Sequence, residues 1–345
     1  MTRKINKYNL FLKKHNNKIY EKGIENYYAI LGLNQDCNKK NIQKNYDNYC
    51  NKIGRKLVKS DTSNKQLAYI FDTILGSIDK AYKILMDEEK RKQYDIELNK
   101  TIEKNDYIEI TSPENYYYAD PHLFKFCSRT YLFFEEYDYE KGVISCIVID
   151  KDLNMSKPVK VLERPYHLSF PFIFKDDKNI YMVPETSSKN CIEIYKATQF
   201  PYQWSLFQTL LKGFWASDTV IIEENGIWWL FTSIGNVNNL TILYTYDLNS
   251  GTWHNHPYNN TNKICGRMAG GIFRYDNKLI RPVQCCCPKY GYSVILYEIE
   301  ILSRTEYKEK EICRKYANWK KNLLGTHTYS IADDLLIVDA KERII

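Results

Sequence analysis

No stretch of 18 consecutive apolar residues occurs in this sequence, so no bilayer-spanning helix is expected. The basic start, MTRKINKYNLFLKKHNNK, holds only a short apolar run around residues 10–12, too little for the apolar region of a secretory signal. Ten cysteines are present without a CxxC pair, and three of them, Cys285, Cys286 and Cys287, are adjacent. Adjacent cysteines rarely meet disulfide geometry with one another, and the spacings of metal-ligand sets are missing. No metal or other cofactor is expected, and a reducing, cytoplasmic compartment is. Basic excess is modest and lacks the aromatic interleaving of RNA-binding sheets, so nucleic acid is not an expected partner.

What is present divides unevenly. Residues 1–105 hold 22 Lys and Arg against 13 Asp and Glu, and the remainder holds 27 against 29. The net charge of +7 therefore belongs to the first third. With 345 residues, 44% hydrophobic and 14% aromatic, the chain has length and composition for two or three folded domains.

Residues 119–136, ADPHLFKFCSRTYLFFEE, set a plan that returns four times: a small or acidic residue, a short apolar strand, a turn, then a second apolar strand with a polar end. It returns at residues 169–185, 217–233, 268–284 and 326–339. Aligned on the first strand, the equivalent residues are Asp120, Phe170, Asp218, Ala269 and His327, separated by 50, 48, 51 and 58 positions. A period near 50 built from strand–turn–strand units indicates a β-propeller, here with five blades. Alternation at residues 144–149, 192–195, 242–246 and 292–299 marks outer strands of the blades.

The first third reads differently. Apolar residues at helical spacing run from residue 25 to about 98, with Gly32 closing a short helix and Asn38 offered as the N-cap of a helix over residues 39–53. The chain is thus multidomain α + β: a small all-α domain, then an all-β five-bladed propeller. Boundaries are expected at a basic flexible lead (1–23), helices (24–98), a linker (99–115) and the propeller (116–345).

In a propeller the start of each blade's first strand and the end of its second share one face. Starts supply Asp120, Asp218 and His327; ends supply Glu135, Glu185, Ser233, Gln284 and Asp339. Several carboxylates around one axis suit glycoside chemistry, one acting as acid and another as base or nucleophile. The expected catalytic group is Asp120 as base and Glu185 as acid, with Asp218 orienting substrate or raising the acid's pKa. His167, Arg267, Arg281, Gln284 and His327 are the expected ligand-binding residues. Structural roles compete with this: an Asp at a strand start often accepts backbone hydrogen bonds, and Arg281 offers a partner for an axial carboxylate.

Tyr27–Leu33 (YYAILGL), residues 41–46 and IDKAYKILMDEEKRKQYD at 78–95 resemble a J domain, the module that activates a chaperone ATPase. Such domains carry His-Pro-Asp after their second helix. Counting from Tyr46 puts Gly54-Arg55-Lys56 there, so stimulation of the ATPase is not carried over. The basic residues Lys39, Lys40, Lys44 and Lys52 still offer a face to a protein partner. ADPHLF, RPYHLSFPFIF, YMVPETS, IEIYKATQFPYQW, SDTVI, AGGIF, RPVQ and GTHTYS resemble the N-terminal domain of plant glucosamine inositolphosphorylceramide transferases. That resemblance implies a propeller akin to glycosidases and a sugar-containing ligand. Gly271 stands where it implies Arg, and the cysteine triple stands where it implies polar or acidic residues. The functional expectation is a glycan-related protein, glycosidase-like or accessory to a glycosyltransferase. The rival reading is a non-enzymatic adaptor with the propeller as a binding platform.

Overall fold

The structure is a computed structural model describing residues 6–15, 23–59, 65–103, 106–235, 239–260 and 266–343. A strand, β1 (Asn6–Lys14), comes first. The helices α1 (Tyr27–Ile30), α2 (Lys39–Lys59), α3 (Lys65–Met86) and α4 (Glu88–Glu103) follow, and then β2 (Ile108–Ile110). No helix among the described residues is long and apolar enough to cross a membrane.

Ile42, Ile53, Ile78, Ala81 and Leu85 form the helical core together with Tyr28, Ile30 and Leu31 of α1 and its end. The residues that carry the J-domain resemblance lock the helices together. Tyr28 donates to Asp95 at 2.7 Å and accepts from Arg91 Nε at 2.9 Å. The Tyr94 hydroxyl accepts from Tyr27 N and donates to the Glu25 carbonyl, each at 3.0 Å. Asn38 caps α2 as expected, accepting from Asn41 N at 2.9 Å. The triplet Gly54-Arg55-Lys56 is corrected: it lies inside α2, not in a loop. One glycine costs a helix only about 1 kcal/mol, and the flanking residues carry the turn onward. The segment between α2 and α3 is residues 60–64, Ser-Asp-Thr-Ser-Asn, which lies outside the described residues.

Four sheets are antiparallel meanders, each built from one sequence repeat and its outer strands. The first holds β3 (Tyr117–Phe126), β4 (Arg129–Tyr137), β5 (Gly142–Ile149) and β6 (Val159–Leu162). The second holds β7 (Ser169–Lys175), β8 (Ile180–Glu185), β9 (Ile192–Gln199) and β10 (Gln203–Leu210). The third holds β11 (Ala216–Glu224), β12 (Ile227–Ile234), β13 (Thr241–Thr245) and β14 (His254–Asn255). The fourth holds β15 (Phe273–Tyr275), β16 (Lys278–Cys285), β17 (Ser293–Leu302) and β18 (Tyr307–Tyr316).

The fifth sheet is assembled from distant parts of the chain. To β19 (Leu323–Gly325), β20 (Tyr329–Ala332) and β21 (Leu335–Arg343) it adds β1 and β2. β1 pairs with β21 along its whole length, from Asn6 opposite Arg343 to Lys14 opposite Leu335, and β2 pairs with β1 outside it. Leu10 and Leu12 are fully buried and Phe11 nearly so. The expected flexible lead is therefore corrected: residues 6–14 are a structural strand of the propeller region. The expected linker is corrected too, since α4 runs on to Glu103 and β2 is a paired strand. The helical domain is an insertion between two strands of one sheet.

That insertion is docked against the sheets. Asn26 Nδ2 donates to the carbonyls of Ala317 at 3.0 Å and Leu323 at 3.3 Å, while its Oδ1 caps α1 through Ala29 N. Asn318 Nδ2 donates to the Ile24 carbonyl at 2.9 Å, and Tyr292 of the fourth sheet packs into the helical core.

Candidate functional site

Three sheets begin with the same backbone irregularity. Asp120, Phe170 and Asp218 have φ of 49°, 44° and 50°, and in each case the strand register shifts just there. A left-handed residue in a β-bulge re-aims the chain, at a conformational cost that is notable for Phe170. Directly before each bulge, Ala119 pairs with Glu135, Ser169 with Glu185 and Ser217 with Ser233. The pleat then brings strand starts and strand ends to one mouth.

That mouth is a cavity of about 260 Å³, lined by Asp120, Glu135, His167, Glu185, Arg267 and His327, with Tyr8, Tyr117, Tyr137 and Tyr290 among its walls. Its three carboxylates each face a basic group. His167 Nε2 lies 3.2 Å from Glu135 Oε1, with Nδ1 accepting from Gly142 N at 2.9 Å. His327 Nε2 lies 3.2 Å from Asp120 Oδ1, and its Nδ1 lies 2.7 Å from Asp339 Oδ2 in an ion pair whose alignment falls outside hydrogen-bond geometry. Arg267 Nη2 donates to Glu185 Oε2 at 3.4 Å, and its Nε donates to Asp218 Oδ2.

The electrostatics differ from pair to pair. Burial pushes the Glu135 carboxyl up to about 7, and the nearby Asp120 adds to this while His167 acts against it. Burial opposes a charge on His327, but the Asp339 and Asp120 carboxylates outweigh it and hold the imidazolium well above its ordinary range. Burial likewise works against an ionised Asp120, yet His327 and Arg267 bring its pKa below the usual value. Asp218 is pushed up by burial, against the pull of Arg267. Among the described residues, Asp120, His327 and Asp339 also present ligand atoms within 4.8 Å of one another, a spacing that could hold a cation. As it stands, the His327 imidazolium supplies the positive charge between the two aspartates.

Against family models, residues 91–329 match "Glucosamine inositolphosphorylceramide transferase 1, N-terminal" and residues 26–95 match the DnaJ domain. The chain belongs to the glucosamine inositolphosphorylceramide transferase 1 N-terminal family. It carries a J domain as well. Glucosamine inositolphosphorylceramide transferase 1 of Arabidopsis thaliana is 34% identical over 212 residues, covering 58% of this chain and 28% of that protein. The protein of the same name from Oryza sativa subsp. japonica is 34% identical over 212 residues, with 57% and 28% covered. The chain thus spans a little over a quarter of these relatives' length. Solved structures similar to it include an exo-beta-1,3-galactanase from Clostridium thermocellum (14% identity, TM-score 0.46, covering 57% of this chain and 50% of that one). Another is the alpha-L-arabinanase of Cellvibrio cellulosa (11%, 0.43, 62% and 80%).

Within this transferase N-terminal family member, the sequence-derived site residues fall into two groups. Asp120, Glu185, His167, Arg267 and His327 line one cavity. Asp218 and Gln284 stand behind it: Asp218 is fully buried, donates its N–H to Glu185 at 3.2 Å and accepts from Gln284 Nε2 at 2.7 Å. They position Arg267 and Glu185 rather than face the cavity. Arg281 is a correction. It is three positions from Gln284 on β16, so the pleat turns it to the opposite face. There it is fully buried in a two-pronged pair with Glu309, at 2.8 and 2.9 Å. Gly271 also has a physical reason: a Cβ there would come within 2.8 Å of Phe172 and 3.2 Å of His122, so a side chain would have to displace both.

Tyr8 and Tyr290 went unforeseen. Tyr8 arrives on β1 from the far end of the chain, with its ring centroid 5.1 Å from that of His327. Tyr290 lies 5.4 Å from His327 and 5.3 Å from the Arg267 guanidinium carbon. Glu135 was visible as a strand end, but its low solvent contact was not. The pairing of Ala119 with Glu135, equivalent to that of Ser169 with Glu185, is the signal that picks it out.

Proposed function

We propose that the axial cavity binds a sugar-containing ligand and that Asp120, Glu135 and Glu185 contact it, with Asp218 positioning Glu185 through Arg267. The observation that carries this reading is the convergence of three carboxylates, each with its own basic partner, on one cavity walled by tyrosines. Packing gives no reason to gather them there, whereas sugar hydroxyls need donors and acceptors beside flat apolar faces. The volume, just under the roughly 300–1,000 Å³ of drug-sized pockets, suits one sugar ring. The amino sugar in the relatives' name is in keeping with it. If the site turns substrate over, Glu135 is the group suited to hand over a proton near neutrality, since its pKa is about 7. Asp120, kept ionised, is then the base or nucleophile.

The test is a thermal-shift screen of monosaccharides, amino sugars and inositol on the full chain, repeated on Asp120→Asn and Glu185→Gln. A sugar that stabilises wild type should stabilise neither variant. Equal shifts in all three proteins would overturn the reading.

For the helical domain we propose that ATPase stimulation is lost. Residues 60–64 contain neither His nor Pro, and Gly54-Arg55-Lys56 is helical. A several-fold stimulation of a chaperone ATPase by the full chain in single-turnover assays would refute this.

A further inference from the structure

A second cavity, larger than the axial one, lies elsewhere. It measures about 760 Å³ and lies where α4 and the segment before α1 meet β1 and the fourth and fifth sheets. Its inner wall is apolar, made by Val294, Leu336, Val338, Trp319 and Tyr329, all buried. Its outer residues are basic: Lys13 and Lys14 of β1, Lys100 of α4 and Lys315 of β18. The carboxylates among its lining are Asp106, which pairs with Lys13 at 3.6 Å, and Glu97. Among the described lining residues the basic groups outnumber the carboxylates.

Two further observations point inward. The indole N–H of Trp319 and the hydroxyl of Thr326 are buried without any hydrogen-bond partner, as is His15 Nε2, and all three residues line this cavity. Trp319 is 7% exposed and Thr326 1%. A buried polar atom left unpaired costs about 1–3 kcal/mol, and Trp319 and Thr326 both carry a hydrogen to donate, so the cavity calls for something that accepts from them.

We propose that this cavity between the helical domain and the sheets is a binding site for an amphipathic anion, an alkyl chain ending in a carboxylate or phosphate. The chain lies against Val294, Leu336 and Val338, and the headgroup takes up the unpaired donors and the lysine rim. The site is independent of the axial cavity and does not rest on its reading. It also straddles the joint between the two domains, so its occupant would brace the helical domain against the sheets.

The experiment is calorimetric titration of the full chain with dodecanoate and with dodecyl phosphate below their micellar concentrations, with dodecanol as the uncharged control of equal chain length. Saturable one-to-one binding of either anion, at least about tenfold tighter than dodecanol, is expected. The better anion identifies the headgroup. The double variant Lys14→Glu/Lys100→Glu, whose side chains are exposed, should weaken the anion about tenfold or more while leaving dodecanol unchanged. Thr326→Val, close in volume, should weaken it as well. Asp120→Asn should bind like wild type, which separates this site from the axial one. No saturable binding, equal affinity for dodecanol, or wild-type affinity in both cavity variants would overturn the proposal and leave ordered water as the occupant.

Discussion

The helical domain and the sheets use their family-matching residues for different ends. In the helices, Tyr27, Tyr28, Arg91, Tyr94 and Asp95 bond to one another or to backbone and hold the module closed. The position that would act on a partner carries no His-Pro-Asp. In the sheets, the matching Asp120, His167, Glu185 and His327 face a cavity. In one region these residues serve the scaffold, and in the other they line a cavity. Polar groups at a packed centre cost free energy unless paired, and here each carboxylate lining the cavity has a basic partner.

The sharpest way to break the comparison is to remove the strand of the sheets that precedes the helical domain. Deleting residues 1–14 takes out β1, strips one edge of β21 of its partner, leaves β2 unpaired and removes Tyr8 from the cavity. Full burial of Leu10, Phe11 and Leu12 is worth about 1.5–3 kcal/mol each, against a typical total stability of about 5–15 kcal/mol. The truncated chain is expected to be insoluble or molten, and Leu10→Ala to lose about 2–5 kcal/mol in urea unfolding. A truncated protein with wild-type stability would return the first residues to the role of a lead.

The two buried arginines sharpen it next. Arg267→Met leaves Glu185 and Asp218 with an unbalanced charge, and Arg281→Met does the same to Glu309. Each should cost about 3–5 kcal/mol in denaturant unfolding. Only Arg267→Met should also abolish the thermal shift given by a sugar ligand. Loss of the ligand response in Arg281→Met would put that residue back at the site.

How far each region was legible in the sequence follows from the range of the signal. The four meander sheets announce themselves because alternation and turns are local, and positions 50 apart repeat them. The strand start as the site-bearing position was legible for the same reason. β1 was not: its apolar run is short, and its partner lies over 300 residues away. The triplet in α2 was misplaced because a single glycine in a charged stretch looks like a loop, while propensity alone lets the helix pass through it. Arg281 was misassigned although the pleat was readable: an odd offset from Gln284 puts the two on opposite faces. The three unpaired groups of the interdomain cavity had no sequence signal at all, because Trp319, Thr326 and His15 are brought together only in the fold.

Acidity offers a smaller handle on the axial site. Glu135 has its carboxyl raised from 4.5 to about 7 by burial, so the folded protein holds that proton more tightly than the unfolded chain. Its contribution to stability is fully present below about 4.5 and is lost as pH rises through about 7. The whole effect is on the order of 3 kcal/mol. His167 is shifted upward too, against the effect of its burial, by the Glu135 carboxylate, and its contribution has the same sign. Wild type should therefore lose stability between pH 5 and pH 8 more steeply than Glu135→Gln does, with both followed by urea unfolding at constant salt. Parallel profiles would mean that Glu135 is ionised throughout.

The smallest effect is expected at the joint. Asn26 does two things with one side chain: its Oδ1 accepts from Ala29 N at 2.9 Å, and its Nδ2 reaches two carbonyls of the sheet region. Loss of an N-cap costs about 0.5–2 kcal/mol, and each neutral hydrogen bond about 0.5–1.5 kcal/mol. The two variants Asn26→Asp and Asn26→Ala separate these roles. Asp keeps the cap oxygen and loses both donors, leaving the Ala317 and Leu323 carbonyls unpaired beside a carboxylate, whereas Ala loses everything without adding a charge. If docking is the larger part, Asn26→Asp should be at least as destabilising as Asn26→Ala, and hydrogen exchange should quicken in α1 and α4 while the first three sheets stay protected. If the cap is the larger part, Asn26→Asp should resemble wild type and exchange in α4 should not change. The second outcome would mean that the helical domain is held to the sheets by contacts such as those of Tyr292 and Asn318, and that Asn26 serves its own helix alone.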